Sequence, residues 1–95
     1  MRNRRRVVIA ERALHDLRRI QQRRQREAVV GALDGLNAAA PNLDVRPLRG
    51  RAPWFPLREG DYRILFRPLA AAEGDGYLVA RIVNRRDLEE PIRHL

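Results

Sequence analysis

The sequence contains no cysteine, which excludes a thiol nucleophile, a disulfide framework and a cysteine-ligated zinc. It contains no lysine either: its basic complement is twenty arginines and two histidines. Such a bias is what high-GC coding produces, so the abundance of arginine says little and its placement says more. Long apolar runs are missing as well. Nothing approaches the roughly 20 apolar residues of a membrane span. The basic opening MRNRRRVVIAERALHD lacks the apolar segment of a secretory signal. The expectation is a cytoplasmic protein with no membrane partner.

What is present fits a folded chain. Ninety-five residues, 44% apolar and 34% charged, suffice for one domain over 1–95 with a core just large enough to fold alone. The net charge is +8, and it is concentrated. Residues 1–26 carry ten arginines against Glu11 and Asp16, residues 46–67 carry six against Glu59 and Asp61, and the remaining segments are mildly acidic. Two basic blocks favour a polyanionic partner, because neutralising phosphates releases counterions and supplies affinity. A solvated, solubilising surface is the competing reading.

Hydrophobic periodicity orders the chain. RVVIA at 6–10 reads as a short buried strand. Ala13, Leu14, Leu17 and Ile20 then follow the spacing of an amphipathic helix, with Arg12, Asp16, Arg19, Arg23 and Arg26 on another stripe. Ala28, Val29, Ala32, Leu33 and Leu36 predict a second helix over 25–39. Gly31 and Gly35 weaken it by about 1 kcal/mol each, for which close packing on the first helix would compensate. Pro41 biases Ala40 out of the helical region and ends it. Pro47, Pro53 and Pro56 make the next segment irregular or an edge strand. After the turn at Glu59–Gly60, Tyr62, Ile64 and Phe66 alternate with Arg63, Leu65 and Arg67, one face apolar and the other half cationic. A hairpin loop at 69–76 leads to the returning strand YLVARIVN (77–84), and a polar tail follows, with a helical turn for which Asp87 is the expected cap. The fold class is α+β: an N-terminal strand, a helical hairpin, then a three-stranded antiparallel sheet packed on the helices, its other face open and presenting Arg63 and Arg67.

RPLRG (46–50), LREGDYRILFR (57–67) and VARIVNRRDL (79–88), with their spacing and the preceding strand–helix–helix, resemble the RelE/ParE superfamily of toxins from type II toxin–antitoxin pairs. The resemblance covers nearly the whole chain. It implies a microbial-ribonuclease-like fold and a cognate antitoxin that wraps the toxin. It also implies one of two activities. RelE-like members cleave messenger RNA on the ribosome and stop translation; ParE-like members inhibit DNA gyrase. A catalytically degenerate module that binds only antitoxin or nucleic acid is the third reading. The ribonuclease chemistry needs no metal and no cofactor: a base takes the 2′-hydroxyl proton, cations stabilise the phosphorane and an acid protonates the leaving 5′ oxygen.

Carried over by position, Arg63 in GDYR matches the arginine near the scissile phosphate. Arg86 in NRRD matches a second phosphate-stabilising arginine, with Arg85 as the alternative one register away. Paired guanidiniums suit a phosphate because each offers bidentate, charge-assisted donors. RelE has two lysines in the strand before this motif, where the chain reads WFP at 54–56, and a C-terminal tyrosine absent from LEEPIRHL. Arg51 and Arg58 stand near the missing cations. His94 is the C-terminal base or acid by analogy with members that use a histidine. Arg67 and Arg81 are substrate contacts or plain surface charge, and Trp54 is a base-stacking side chain or an edge residue. Tyr62 and His15 read as structural.

Overall fold

A computed structural model describes residues 6–37, 48, 50, 51 and 53–95. The predicted helix stop at AAAPN lies outside the described residues, as do Arg46 and Arg49 of the RPLRG string. The order of elements is β1 (Arg6–Ile9), α1 (Glu11–Arg18), α2 (Arg23–Asn37), β2 (Phe55–Glu59), β3 (Tyr62–Pro68), a 3-10 turn (Ala71–Glu73), β4 (Gly76–Asn84), a second 3-10 turn (Arg85–Asp87) and α3 (Glu89–Arg93). The fold class is the expected α+β, with one addition. β1 joins the sheet as a fourth strand, parallel to β4, giving the order β1-β4-β3-β2.

The period-2 pattern of β3 places Ile64 and Phe66 in the core with Leu57, Val79 and Ile82, under Ala13 and Ile20 of the α1 segment and Val29, Leu33 and Leu36 of α2. Phe66 is wedged between Phe55, stacked at 5.7 Å, and Tyr77, edge-on at 5.3 Å. Tyr62 packs against the same cluster, as its alternation with Ile64 requires. Two helical expectations change. Leu14 is 37% exposed while Ala13 is fully buried, because the stripe facing the sheet is 13, 17 and 20. Gly31 is exposed, and a Cβ there would meet nothing within 4 Å, so close helix packing is not its role.

Close approach does explain Gly76. At φ 150°, it lies where β1 meets β4, and a Cβ on it would collide with the Arg6 carbonyl. Pro56 belongs to β2, the sheet's other edge, where a residue without an N–H is tolerated. The face opposite the helices is less open than expected. Leu65 is fully buried and Val83 is 7% exposed, so only the ends of that face are cationic.

The strand-to-tail junction also departs from expectation. Asn84, not Asp87, is the cap: its Oδ1 accepts the Arg86 N–H at 3.0 Å. No side chain caps α3.

Candidate functional site

The β2–β3 hairpin turns through Gly60 and Asp61, with Gly60 at φ 56°, a left-handed conformation that glycine adopts without a Cβ penalty. Glu59 and Tyr62 close the turn, which sets Arg58 directly opposite Arg63. Both project away from the helical face. Arg63 donates to the carbonyls of Gly60 and Tyr62 at 3.0 and 2.9 Å, so its guanidinium is folded over the turn.

The end of β4 delivers the third cation. The Arg85 N–H donates to the Asp61 carbonyl at 2.7 Å, and its Nε lies 3.5 Å from Asp61 Oδ1. Arg85, rather than Arg86, is thereby brought to the hairpin. The consequence is visible at Arg63, whose pKa is lowered by burial first, then by the charges of Arg58 and Arg85, against the opposing pull of Asp61. Of the three guanidiniums only that of Arg85 has an ion-pair partner among the described residues, Asp61. Their mutual repulsion is what an incoming phosphate would relieve.

The other expected site residues lie elsewhere. Arg86 is exposed and borders a shallow groove with Asp87, Glu89, Glu90 and Arg93, where Arg93 is paired to Glu89 at 2.9 Å. His94 opens on a separate cleft of about 750 Å³ between α1 and α3, with Arg12 and Arg19 on one wall and Asp87 and Glu90 on the other. None of Arg58, Arg63 and Arg85 lines that cleft. Arg81 is spent on structure. Its Nε and Nη2 donate to the Asp16 carboxylate at 2.8 and 3.2 Å, and the Ile82 N–H donates to the same group at 2.9 Å. β1 pairs β4 only as far as Val79, so Asp16 caps the strand edge that β1 leaves bare.

At the far end of the sheet, Arg67 sits over the Trp54 ring at 5.9 Å and 3.7 Å from Glu73. The Trp54 N–H donates to the Arg51 carbonyl at 2.9 Å, which keeps the exposed Arg51 beside it. Among the described residues no group of three or more His, Asp or Glu side chains can hold a metal ion, and no helix is long and apolar enough to cross a membrane.

The place of Arg58 directly opposite Arg63 goes beyond the sequence expectation that set it only near the missing cations. Its signal was available: a two-residue turn at Gly60–Asp61 makes 58 and 63 cross-strand partners. The role of Asp16 was also missed, although an acid flanked by the core-facing positions 13, 17 and 20 is a departure from pattern that needs a partner.

No match is found among curated proteins. The RelBE2 toxin–antitoxin complex from Mycobacterium tuberculosis contains a chain similar at a TM-score of 0.71 and 28% identity, over 87% of this chain and 100% of that one. The RelB–RelE antitoxin–toxin complex from Methanococcus jannaschii is similar at 0.61 and 17%, over 88% and 96%, a likeness of fold. The model for the ParE toxin of the type II toxin–antitoxin system parDE matches residues 7–89. On that match the chain belongs to the ParE toxin family, and is a RelE/ParE-type toxin of a type II toxin–antitoxin system.

Proposed function

We propose that the toxin is a ribosome-dependent messenger RNA endoribonuclease, held inactive by a cognate antitoxin. The observation that carries this reading is the Arg58–Arg63–Arg85 cluster, an unbalanced cationic locus at one end of the sheet. In the reaction the 2′-hydroxyl attacks the adjacent phosphorus and loses its proton to a base. The bond from phosphorus to the 5′ oxygen breaks, and an acid protonates that oxygen, leaving a 2′,3′-cyclic phosphate and a 5′-hydroxyl. Arg63 and Arg85 donate to the phosphorane oxygens, whose charge grows at the transition state, and Arg58 holds the ground-state phosphate. Arg86 extends the contact along the backbone. Arginine cannot serve as the base near neutral pH. That role falls to His94 or a neighbouring carboxylate, drawn together when RNA binds. The antitoxin rests on the two structural relatives, both solved as toxin–antitoxin complexes.

A ParE-like inhibitor of DNA gyrase is the second reading. What favours it is that Asp61, the carboxylate paired within the cluster, is engaged by Arg85, while His94 faces a different cleft. Induction of the toxin without antitoxin separates the two. Codon-positioned cuts in ribosome-bound messages with no DNA-damage response are expected; a damage response with intact messages would replace the ribonuclease reading by the gyrase one.

A further inference from the structure

Trp54 is the only tryptophan of the chain, and it is half-buried at the sheet margin. It is held there by its backbone. The Leu48 N–H donates to the Trp54 carbonyl at 2.8 Å, and the Trp54 N–H donates to the Arg51 carbonyl at 2.9 Å. Arg67 is held through its side chain. One guanidinium nitrogen donates to the Pro68 carbonyl at 3.0 Å and lies 3.7 Å from Glu73 Oε1, and the group sits 5.9 Å from the Trp54 ring centre. Glu73 is locked in turn by accepting the Ala70 N–H at 2.9 Å.

The Phe55, Phe66 and Tyr77 rings already fill the helical face, and Arg67 and Trp54 lie outside that cluster. What the corner offers is a half-buried indole and a hydrogen-bonded guanidinium plane, with the exposed Arg51 tied to Trp54 through the backbone. Flat surfaces of this kind stack unpaired bases without reading their identity, and an adjacent cation takes the phosphate.

The geometry points to a stacking subsite for an unpaired RNA base, formed by Trp54 and Arg67 with Arg51 on the flanking phosphate. Its choice of RNA rests on the ribonuclease reading. Arg67 is four residues along β3 from Arg63, about 13 Å at the rise of a strand. The subsite therefore engages a base some nucleotides away from the phosphate held by Arg63, and it contributes to binding rather than to bond breaking.

The single tryptophan makes the test direct. Titrating the purified full-length toxin with a short single-stranded oligoadenylate should quench and shift its tryptophan emission to saturation, and an RNA duplex should not. Trp54→Ala should weaken oligoadenylate binding, read by anisotropy of a labelled strand, roughly tenfold to a hundredfold. Trp54→Phe should recover most of that loss, and Arg67→Gln should weaken binding while leaving the reporter in place. Binding without any change in tryptophan emission, or no binding at all, would overturn the subsite. So would Trp54→Ala binding as tightly as the parent. Message cutting on ribosomes with an unperturbed tryptophan would overturn the subsite and leave the ribonuclease reading standing. A perturbed tryptophan in a toxin that cuts no message would do the reverse.

Discussion

Arg58 and Arg63 face each other across the β2–β3 ladder as direct register partners, two like charges where opposite ones are the rule. Such pairs destabilise a sheet by about 0.2–1 kcal/mol, and Arg85 adds a third charge at the strand end. Arg58→Ala should therefore leave stability unchanged or raise it by about 0.5 kcal/mol at low salt, while reducing toxicity. Thermal unfolding in low and high salt checks the first part. A loss above 1 kcal/mol would make Arg58 a structural residue.

The same repulsion predicts a stabilising anion. Inorganic phosphate at a hundred times its Kd should stabilise the fold by about 2.7 kcal/mol, beyond what chloride does at matched ionic strength. The effect should vanish in the Arg63→Ala, Arg85→Ala double variant. Equal shifts in parent and variant would place the anion somewhere else.

Proton linkage at Arg63 has a definite sign. Its folded-state pKa is lowered, so the charged form is disfavoured by folding, and that cost is present at every pH below the folded value. It is relieved only as pH rises through that value, far into the alkaline range of arginine. Arg63 should thus contribute no slope to stability between about pH 5 and 9. Unfolding curves of the parent and Arg63→Ala should run parallel across that range; divergence near neutrality would contradict the assignment.

Asp16 and Arg81 form a different kind of pair. The Asp16 side chain is 9% exposed and the Arg81 side chain 20%, and the carboxylate also accepts the Ile82 N–H. Asp16→Ala should cost about 2–3 kcal/mol, since it strands a largely buried guanidinium and a backbone donor. Changing Arg81 as well should recover part of that loss in a double-mutant cycle. A cost below 0.5 kcal/mol would show that solvent already serves both groups.

The parts of this fold that obey a period were legible in the residues. Alternation along 62–67 separated Ile64 and Phe66 from Arg63 and Arg67, and the structure keeps that division. Spacing of three and four found both helices, yet it could not decide that Leu14 faces solvent, because that depends on where β4 runs beneath α1. Nothing in RVVIA announces a parallel partner seventy residues later; Gly76, admitted by the Arg6 backbone, is its only local trace. The arrangement of the candidate site was half legible. GDYR located Arg63, but the tail arginine beside it is Arg85, because the Asn84 cap and the bond from Arg85 to the Asp61 carbonyl set a register that sequence spacing left open between 85 and 86.

The central claim is that the cluster around Arg63 binds the phosphate of a message. It is tested most directly by mapping 5′ ends on ribosome-bound messenger RNA after induction of the parent toxin and of Arg63→Ala, both confirmed folded. The account predicts new codon-positioned ends with the parent and their loss, with relief of growth arrest, in the variant. Identical ends from both proteins, or growth arrest by the parent with no new ends, would contradict it.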